Sequence, residues 1–292
     1  MILEENFGLQ SEKKWNKHIL SVIEKVRKKE MIKGEKAVKE LRKAIVKGFD
    51  QILPQRFILL FSGGVDSALI ALISKQLRRD FLCISGGFKD SHDVVLAKQI
   101  TESLNLKTEF IYFDNLNMLD ALKKSKRITR KSDVVNIEVG AVSFLLLKNS
   151  KKAEVFDYVA TGLGAEELFI GYQKYATAEN PYNASIKGLK EIYKKDILRD
   201  QRVCRQFSKR LILPFLHPRI IETALRIPIE SKLKDGYKKY CLRVVTINLG
   251  LKREWAFERK KAAQYGTQID KEIAKIAKKK GFKGKREFLS SL

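Results

Sequence analysis

Short apolar runs alternate with stretches of helical periodicity through the first half of the chain. The run from Arg56 to Phe61 is almost wholly apolar, which is typical of a central parallel strand buried on both faces. Strands that alternate with helices predict an α/β fold with a doubly wound parallel sheet, which binds its ligands at the carboxyl ends of the strands. The pattern predicts strands at residues 56–61, 81–85, 108–113 and 155–161, and helices at residues 68–77, 94–104 and 136–147.

The regions on either side of this zone have helical patterns. Residues 11–50 carry apolar side chains at helical spacing, interrupted at Gly34, and predict two surface helices rich in lysine and glutamate. The segment 278–286 is so basic that we expect a solvated or mobile end. The later predicted helices are residues 184–197, 218–224, 239–249 and 268–279.

Composition adds a net charge of +25, from 59 lysines and arginines against 34 aspartates and glutamates. A hydrophobic content of 44% supports a packed core, so we predict a globular protein. The charge is typical either of a surface that attracts nucleic acid or ATP, or of a solvated surface rich in lysine and glutamate. We favour the solvated surface, because glutamates are interspersed among the basic residues of the predicted helices.

No segment has the length and character of a secretory signal or a transmembrane helix, so we expect a cytoplasmic protein without membrane contact. The three cysteines, Cys83, Cys204 and Cys241, are widely spaced and form no CxxC pair. A zinc ribbon or an iron–sulfur site held by paired cysteines is therefore not expected.

A glycine-rich loop follows the first predicted strand and begins a helix, with the sequence Ser62-Gly63-Gly64-Val65-Asp66-Ser67. Glycines let the backbone approach phosphate oxygens, and the free N–H groups at the start of a helix attract an anion. Asp66 would repel phosphate unless a cation lay between them, so the loop predicts a Mg²⁺ ion bridging Asp66 and the phosphates. The alternative is an ordinary strand–helix turn in which Asp66 caps the helix.

The loop lacks the lysine of a Walker A sequence and the spacing of GxGxxG. It resembles the SGGxDS signature of the PP-loop ATP pyrophosphatases, which split ATP into AMP and pyrophosphate. A second acidic segment, residues 161–172, follows the fourth predicted strand. Its Glu166 and Glu167 are candidates for a second magnesium carboxylate, although acidic residues also favour any helix N-terminus.

Residues 161–172 resemble the glycine- and acid-rich ATP motif of asparagine synthetases. The agreement in order and spacing extends from about residue 56 to residue 266, so the chain is similar to the synthetase domain of the asparagine synthetase family. Residues 260–269 look closest to asparagine synthetase domain-containing proteins. Four later segments are similar to further family motifs, namely residues 199–202, 213–216, 239–243 and 259–266.

This resemblance implies an adenine nucleotide alpha hydrolase-like fold and an ATP-dependent carbon–nitrogen ligase with ATP and Mg²⁺ as cofactors. The implied metal ligands are Asp66 and Glu166. Lys261 and Lys239 are the implied catalytic residues, because a cation near the pyrophosphate stabilises the leaving group. Lys239 and Arg243, four residues apart, also match a solvated helix face. The residues implied to bind ATP or pyrophosphate are Leu60, Ser62, Gly63, Gly64, Asp66, Ser67, Ser85 and Gly162.

The resemblance also implies a division of the chain and a nitrogen source. We expect a helical N-terminal extension at residues 1–54, a PP-loop synthetase domain at 55–266 and a basic helical tail at 267–292. The family's glutaminase domain uses an N-terminal cysteine as nucleophile, whereas residue 2 is Ile2. We therefore expect a small-molecule carboxylate substrate, with nitrogen from free ammonia or from a separate glutaminase.

Several positions depart from the family pattern. Leu163 stands where the family carries an acidic residue thought to assist amination, and leucine cannot transfer a proton. Glu166 replaces an aspartate, while Ile212 and His217 replace the charged residues that flank Pro-Phe-Leu. The ATP half of the site is therefore predicted to be intact, and the amino-acid half is predicted to differ.

Two other functions stay open at this point. A tRNA-modifying PP-loop enzyme is favoured by the charge of +25 and opposed by the missing CxxC pairs, so nucleic acid is an open but less favoured partner. A non-catalytic ATP-binding protein is favoured by Leu163 and Glu166, because both depart from the residues that the resemblance calls for.

Overall fold

A computed structural model describes residues 11–130, 133–259 and 262–292 of the chain. Its centre is one five-stranded sheet in which every pair of neighbouring strands is parallel and the order is β3-β2-β1-β4-β5. The predicted α/β fold with a doubly wound parallel sheet is therefore confirmed. The strands are β1 Arg56–Leu60, β2 Asp80–Gly87, β3 Thr108–Tyr112, β4 Tyr158–Ala160 and β5 Arg210–Ile212.

Strand β1 lies in the middle of the sheet because its apolar side chains must be covered on both faces. Phe57, Ile58 and Leu59 are all buried, and the strand pairs with β2 on one side and with β4 on the other. The chain adds β2 and β3 on one side of β1 and then returns to add β4 and β5 on the other. The reversal opens a crevice at the carboxyl ends of β1 and β4, where parallel α/β sheets bind ligands.

Helices cover the sheet and continue the chain after it. In the first half they are α1 Glu12–Arg27, α2 Gly34–Ile52, α3 Val65–Gln76, α4 His92–Ser103, α5 Asn115–Thr129 and α6 Val134–Asn149. In the second half they are α7 Ala165–Leu168, α8 Gln173–Ala176, α9 Pro181–Ile192, α10 Leu198–Arg205, α11 Pro218–Leu225, α12 Ile229–Lys232, α13 Tyr240–Ile247, α14 Arg253–Ala256, α15 Ala263–Gly266, α16 Ile269–Lys279 and α17 Lys285–Ser291.

The two predicted N-terminal helices are present as α1 and α2, and each buries its apolar stripe. Helix α1 packs against α11 and α9, where Trp15 donates its indole N–H to the carbonyl of Leu189 at 2.7 Å. Helix α2 packs against α11 and α13. Within the three described ranges, no helix is both long and apolar enough to cross a membrane.

The structure differs from the predicted elements in several places. The fourth strand is only Tyr158–Ala160, because Ala153–Val155 forms a 3-10 turn instead. The predicted helix 184–197 is interrupted by a π-helical turn at Tyr193–Ile197. The pattern also missed α5 and β5; β5 has only three residues, too few for a periodicity to be recognised.

The basic segment 278–286 is largely exposed to solvent, as predicted, but the residues that follow it pack against the rest of the chain. Phe288 and Leu289 of α17 are buried, and the ring of Phe288 lies 5.4 Å from that of Phe282. Lys126 donates to the carbonyl of Ser290 at 2.7 Å. Apolar residues spaced among the lysines therefore fold the end of the chain back onto the α/β core.

A buried acid joins this end to helix α6. Glu138 is 1% exposed and accepts a hydrogen bond from the ammonium of Lys285 at 3.4 Å, and Lys285 also pairs with Asp270. Burial is the main cause that raises the pKa of Glu138 from 4.5 to about 7, and Lys285 only partly opposes it. The carboxyl of Glu138 is therefore protonated in the folded protein at pH values where it is ionised in the unfolded chain.

Glu138→Gln is expected to reduce the pH dependence of stability. A raised pKa means that stability is fully present below about pH 4.5 and falls as the pH rises to about 7, because the unfolded chain releases the proton first. The wild-type free energy of unfolding should fall by about 2 kcal/mol more than that of Glu138→Gln over this range. Urea unfolding between pH 5 and pH 8 measures the difference. Plots of the free energy of unfolding against pH that run parallel for the wild type and Glu138→Gln would contradict this prediction. Glu24→Gln is the control, because Glu24 is exposed, and it should follow the wild type.

Candidate functional site

The predicted phosphate loop links β1 to α3 with a backbone that requires glycine. Gly63 has φ +74, and a Cβ there would lie 2.9 Å from Cγ of Leu96 and 3.0 Å from the amide nitrogen of Ala97. The hydroxyl of Ser67 donates to the carbonyl of Gly64 at 3.0 Å, which fixes the start of the helix. A larger residue at position 63 would have to push α4 away, so the loop's path depends on its glycine.

Asp66 lies in the first turn of α3, beside the free backbone N–H groups that begin the helix. A helix N-terminus favours negative charge, so this position attracts anions and tolerates the carboxylate. The Oδ1 atom of Asp66 is buried and has no hydrogen-bond partner among the described residues. One acceptor of the predicted metal ligand is therefore unused.

A second loop meets the first at the carboxyl end of β4. A Cβ at Gly162 would lie 2.8 Å from Cβ of Asp66, so only a glycine allows the two loops to approach this closely. Gly164 has φ +97 and precedes the short helix α7, whose second residue is Glu166. The sharp turn directs Glu166 towards the phosphate loop.

Lys239 connects the two acidic residues. Its ammonium donates to Oδ2 of Asp66 at 2.7 Å and to Oε1 of Glu166 at 2.6 Å. Burial alone would lower the pKa of Lys239, but the two carboxylates outweigh burial and hold the pKa above its ordinary value. The ammonium therefore stays charged and neutralises part of the charge that the two loops bring together.

The position of Lys239 contradicts the alternative hypothesis that Lys239 and Arg243 lie on a solvated helix face. Lys239 has φ +58 and precedes α13, so its side chain points inward and is 5% exposed. Arg243 is also buried, and it donates to the carbonyl of Lys238 at 2.7 Å and to that of Ala256. Arg243 thereby fixes the turn that carries Lys239 and joins it to α14.

Gly171 provides the space in which this ion pair forms. A Cβ at Gly171 would lie 1.7 Å from Oε2 of Glu166 and 2.3 Å from Cε of Lys239. The amide of Gly171 also donates to the carbonyl of Glu166 at 2.8 Å. Any side chain at this position would displace both charged groups.

These side chains surround a cavity of about 1300 Å³ at the carboxyl edge of the sheet. That volume exceeds the usual size of a small-molecule site, so it has room for a nucleotide and a second substrate. Gly63 and Gly64 belong to the same loop but are not among the residues that line the cavity, and Lys261 lies outside the described residues. The other predicted site residues all line the cavity, namely Leu60, Ser62, Asp66, Ser67, Ser85, Gly162, Glu166 and Lys239.

The donor set fits magnesium better than a tightly caged metal. The described part of the chain contains no group of three or more His, Cys, Asp or Glu side chains arranged to hold a metal ion. Mg²⁺ is commonly bound by one or two carboxylates, with phosphate oxygens and water as the remaining ligands. Asp66 and Glu166 supply two carboxylates, and Oδ1 of Asp66 lacks a partner, so the residues fit this ion.

Sequence reasoning did not assign a separate role to Glu167, which the structure places in a different environment from Glu166. Glu167 is 3% exposed, and it accepts a hydrogen bond from the hydroxyl of Tyr175 at 3.4 Å. Burial, together with repulsion by Asp196 and Glu166, raises the pKa of Glu167 to about 8. The only sequence signal was its position beside Glu166, and it could not distinguish the two.

A buried arginine lies at the far wall of the cavity. Arg199 donates to Oδ1 of Asp200 at 2.7 Å, to Oδ1 of Asp196 at 2.8 Å and to Oδ1 of Asn136 at 3.1 Å. The network links α10, the π-helical turn and α6. The sequence motif at residues 199–202 therefore contributes to the cavity through its first residues.

Lys239→Met should destabilise the protein, because the two carboxylates then repel each other without a cation between them. Removing one partner of a largely buried ion pair leaves uncompensated charge, and we expect a loss of about 2 kcal/mol in the free energy of unfolding. Mg²⁺ should then bind between the carboxylates and raise the melting temperature of Lys239→Met more than that of the wild type. Thermal unfolding with and without MgCl₂, in the absence of nucleotide, measures both effects.

The matched control is Lys238→Met, because Lys238 is the neighbouring residue and its ammonium donates an exposed hydrogen bond to Gln173 at 3.4 Å rather than to the two acids. It should unfold close to the wild-type temperature and respond to MgCl₂ as the wild type does. Equal stabilisation of all three proteins by MgCl₂ would show that Asp66 and Glu166 do not form a common cation site.

Comparison with known proteins agrees with the motifs. The family profile described as Asparagine synthase matches residues 55–187 and 176–288. A protein of Methanocaldococcus jannaschii, provisionally named glutamine-hydrolysing asparagine synthetase 1, is 28% identical over 286 residues, which cover 85% of this chain and 52% of the relative. The human glutamine-hydrolysing asparagine synthetase is 27% identical over 199 residues, which cover 65% of this chain and 36% of that protein.

A solved structure, the NH3-dependent NAD synthetase from Campylobacter jejuni, matches 57% of this chain and 76% of its own at 20% identity, with a TM-score of 0.32. The chain spans about half the length, or less, of the curated relatives that it matches. The profile nevertheless covers most of the described residues, from the phosphate loop to α17. The chain therefore belongs to the asparagine synthase family.

Proposed function

We propose that this chain is an ATP-dependent carbon–nitrogen ligase that adenylates a carboxylate and passes the acyl group to ammonia. A carboxylate oxygen of the acceptor attacks the α-phosphorus of ATP, and the bond to pyrophosphate breaks. Ammonia then attacks the acyl carbon, loses a proton and expels AMP. Family membership supports this reaction class, and the acceptor is proposed to be a small molecule that fits the cavity beside the phosphate loop.

The observation that carries the proposal is the meeting of a phosphate-type loop with two carboxylates and a buried lysine. The N-terminus of α3 supplies free N–H groups for phosphate oxygens. Lys239 is charged and buried, and it lies within hydrogen-bond distance of both carboxylates. A cation in this position stabilises the charge that develops on departing pyrophosphate. A merely structural strand–helix turn would not need this arrangement.

Asp66 and Glu166 would hold the magnesium ion, which would neutralise phosphate charge when bound. Ser62 and Ser67 lie on the same loop and line the cavity with Asp66, so their hydroxyl groups are candidates for phosphate contacts. Ser85 lines the cavity from β2, and its buried hydroxyl has no partner among the described residues. We propose it as a contact for the nucleotide.

The amino-acid half of the site is proposed to differ from that of an asparagine-forming enzyme. Leu163 lines the cavity at the turn before α7 and presents an apolar side chain. Any proton transfer during amination must therefore use another group. The nitrogen source is proposed to be free ammonia or ammonia delivered by a separate glutaminase.

Pyrophosphate release tests the reaction directly. The purified chain is incubated with ATP, MgCl₂, ammonium chloride and a panel of amino acids and other carboxylic acids, while AMP, ADP and pyrophosphate are measured. We expect equal amounts of AMP and pyrophosphate, dependent on one class of acceptor. Asp66→Asn should lower the rate by about 100-fold, because it removes a charge that organises the phosphate site.

The control is Asp235→Asn, since Asp235 is exposed and has φ +54, a conformation that asparagine also tolerates. It should retain the wild-type rate. Formation of ADP would contradict the proposed chemistry. ATP binding without pyrophosphate release for any acceptor would instead indicate the non-catalytic alternative.

A further inference from the structure

Glu167 is the cavity carboxyl whose bonding is incomplete. Its side chain is 3% exposed and lines the cavity. Oε1 accepts the hydroxyl of Tyr175, whereas Oε2 is buried and has no hydrogen-bond partner among the residues that the structure describes. A buried carboxyl oxygen without a partner is costly, so a group that donates to Oε2 would be bound favourably.

The surroundings of Glu167 hold this oxygen in place. A Cβ at Gly188 would lie 2.1 Å from the hydroxyl of Tyr175, so a glycine in α9 is needed for that hydroxyl to occupy its position. Ser185, also in α9, donates to the backbone carbonyl of Glu167. Ser185 therefore fixes the backbone of Glu167, and Gly188 leaves room for the hydroxyl that bonds its carboxyl.

The neighbouring carboxylates have cations of their own. Glu166 pairs with Lys239, and Asp196 pairs with Arg199 at 2.8 Å. Glu191, which lines the same cavity, pairs with Lys195. Within the described ranges Glu167 takes part in no ion pair. An added cation would therefore find its neighbours already paired and would meet no cation bound directly to Glu167.

Aromatic rings border the same part of the cavity. Tyr172 and Tyr175 lie with ring centroids 5.5 Å apart, and the ammonium of Lys174 lies 5.0 Å from each centroid. Aromatic faces attract ammonium groups. The ammonium of Lys174 already lies over both rings, which shows that they can accept an ammonium group.

We propose that Glu167, with Tyr172 and Tyr175, binds an ammonium group on the substrate side of the cavity. This inference rests on the proposed function, in which a nitrogen donor and an acceptor share the cavity with ATP. The same chemistry has two sources: the ammonium ion as nitrogen donor, or the α-ammonium of an amino-acid acceptor. A carboxylate beside hydroxyl and aromatic groups suits either source and excludes an anionic group.

Calorimetric titration of the full chain separates the two sources. At pH 8.5 and constant ionic strength, the titrants are ammonium chloride, potassium chloride, L-aspartate and succinate. Ammonium and potassium ions are similar in size, but only ammonium donates hydrogen bonds. Aspartate and succinate differ by the α-ammonium. We expect the ammonium-bearing member of one pair to bind at least tenfold more tightly than its control.

Glu167→Gln should remove that preference, because it keeps the shape of the side chain and removes the charge. Glu191→Gln, which also lines the cavity, should keep it. If tighter binding of ammonium than of potassium depends on Glu167, the bound group is the nitrogen donor. If tighter binding of aspartate than of succinate depends on Glu167, the bound group is the α-ammonium of the acceptor. The same affinities in wild type and in folded Glu167→Gln overturn the site.

Tyr175→Phe is a second variant, and we expect it to bind the same ligand more weakly than the wild type does. Unchanged affinity in Tyr175→Phe also counts against the site.

Failure of this site is distinguishable from failure of the proposed function. A chain that releases pyrophosphate from ATP, but has no ammonium preference dependent on Glu167, loses the ammonium site alone. A chain that binds the ammonium group but never releases pyrophosphate loses the ligase proposal alone. Both measurements use the same preparation, so a misfolded sample cannot account for a difference between them.

Discussion

Repulsion between two carboxylates at the carboxyl edge of the sheet is the constraint on which the site depends. Asp66 begins the helix after β1, and Glu166 begins the helix after β4, so adjacent strands bring the two acids together. Such a meeting is unfavourable for two largely buried carboxylates unless a cation lies between them. Lys239 supplies that cation in this structure. The glycines at positions 162 and 171 are needed for the same reason, because a side chain at either position would keep the charged groups apart.

The constraint also explains why the helical second half must dock on the sheet. Lys239 is reached only after β5 and several helices, and it enters the site from a left-handed turn. Arg243 ties that turn to α14 through the carbonyl of Ala256. The acids thus come from the α/β half of the chain and their cation from the helical half. An arrangement of this kind makes the ion pair a link between the two halves as well as a feature of the site.

The sequence predicted the features that depend on local chemistry and missed those that depend on long-range packing. The strands at β1, β2 and β3 were predictable from their apolar runs, although β3 lies at the edge of the sheet and only its Ile111 is buried. Strand β5 has three residues and is defined by its pairing with β4, which no local pattern records. The phosphate loop was recognisable from its glycines. The direction of Lys239 was not, because its spacing to Arg243 suits a solvated helix, whereas the observed helix begins one residue later.

The adjacent acids Glu166 and Glu167 show why site chemistry cannot be assigned from residue type alone. Successive residues of a helix point about 100° apart, so neighbours in α7 face different surroundings. Glu166 points to Lys239 and is neutralised, while Glu167 points to Tyr175 among other acids and keeps its proton to a higher pH. One short turn thus separates a charged carboxylate suited to phosphate and metal from a carboxyl poised between neutral and charged forms. In the proposed function, the two faces of α7 would divide the cavity into a nucleotide side and a side for the second substrate.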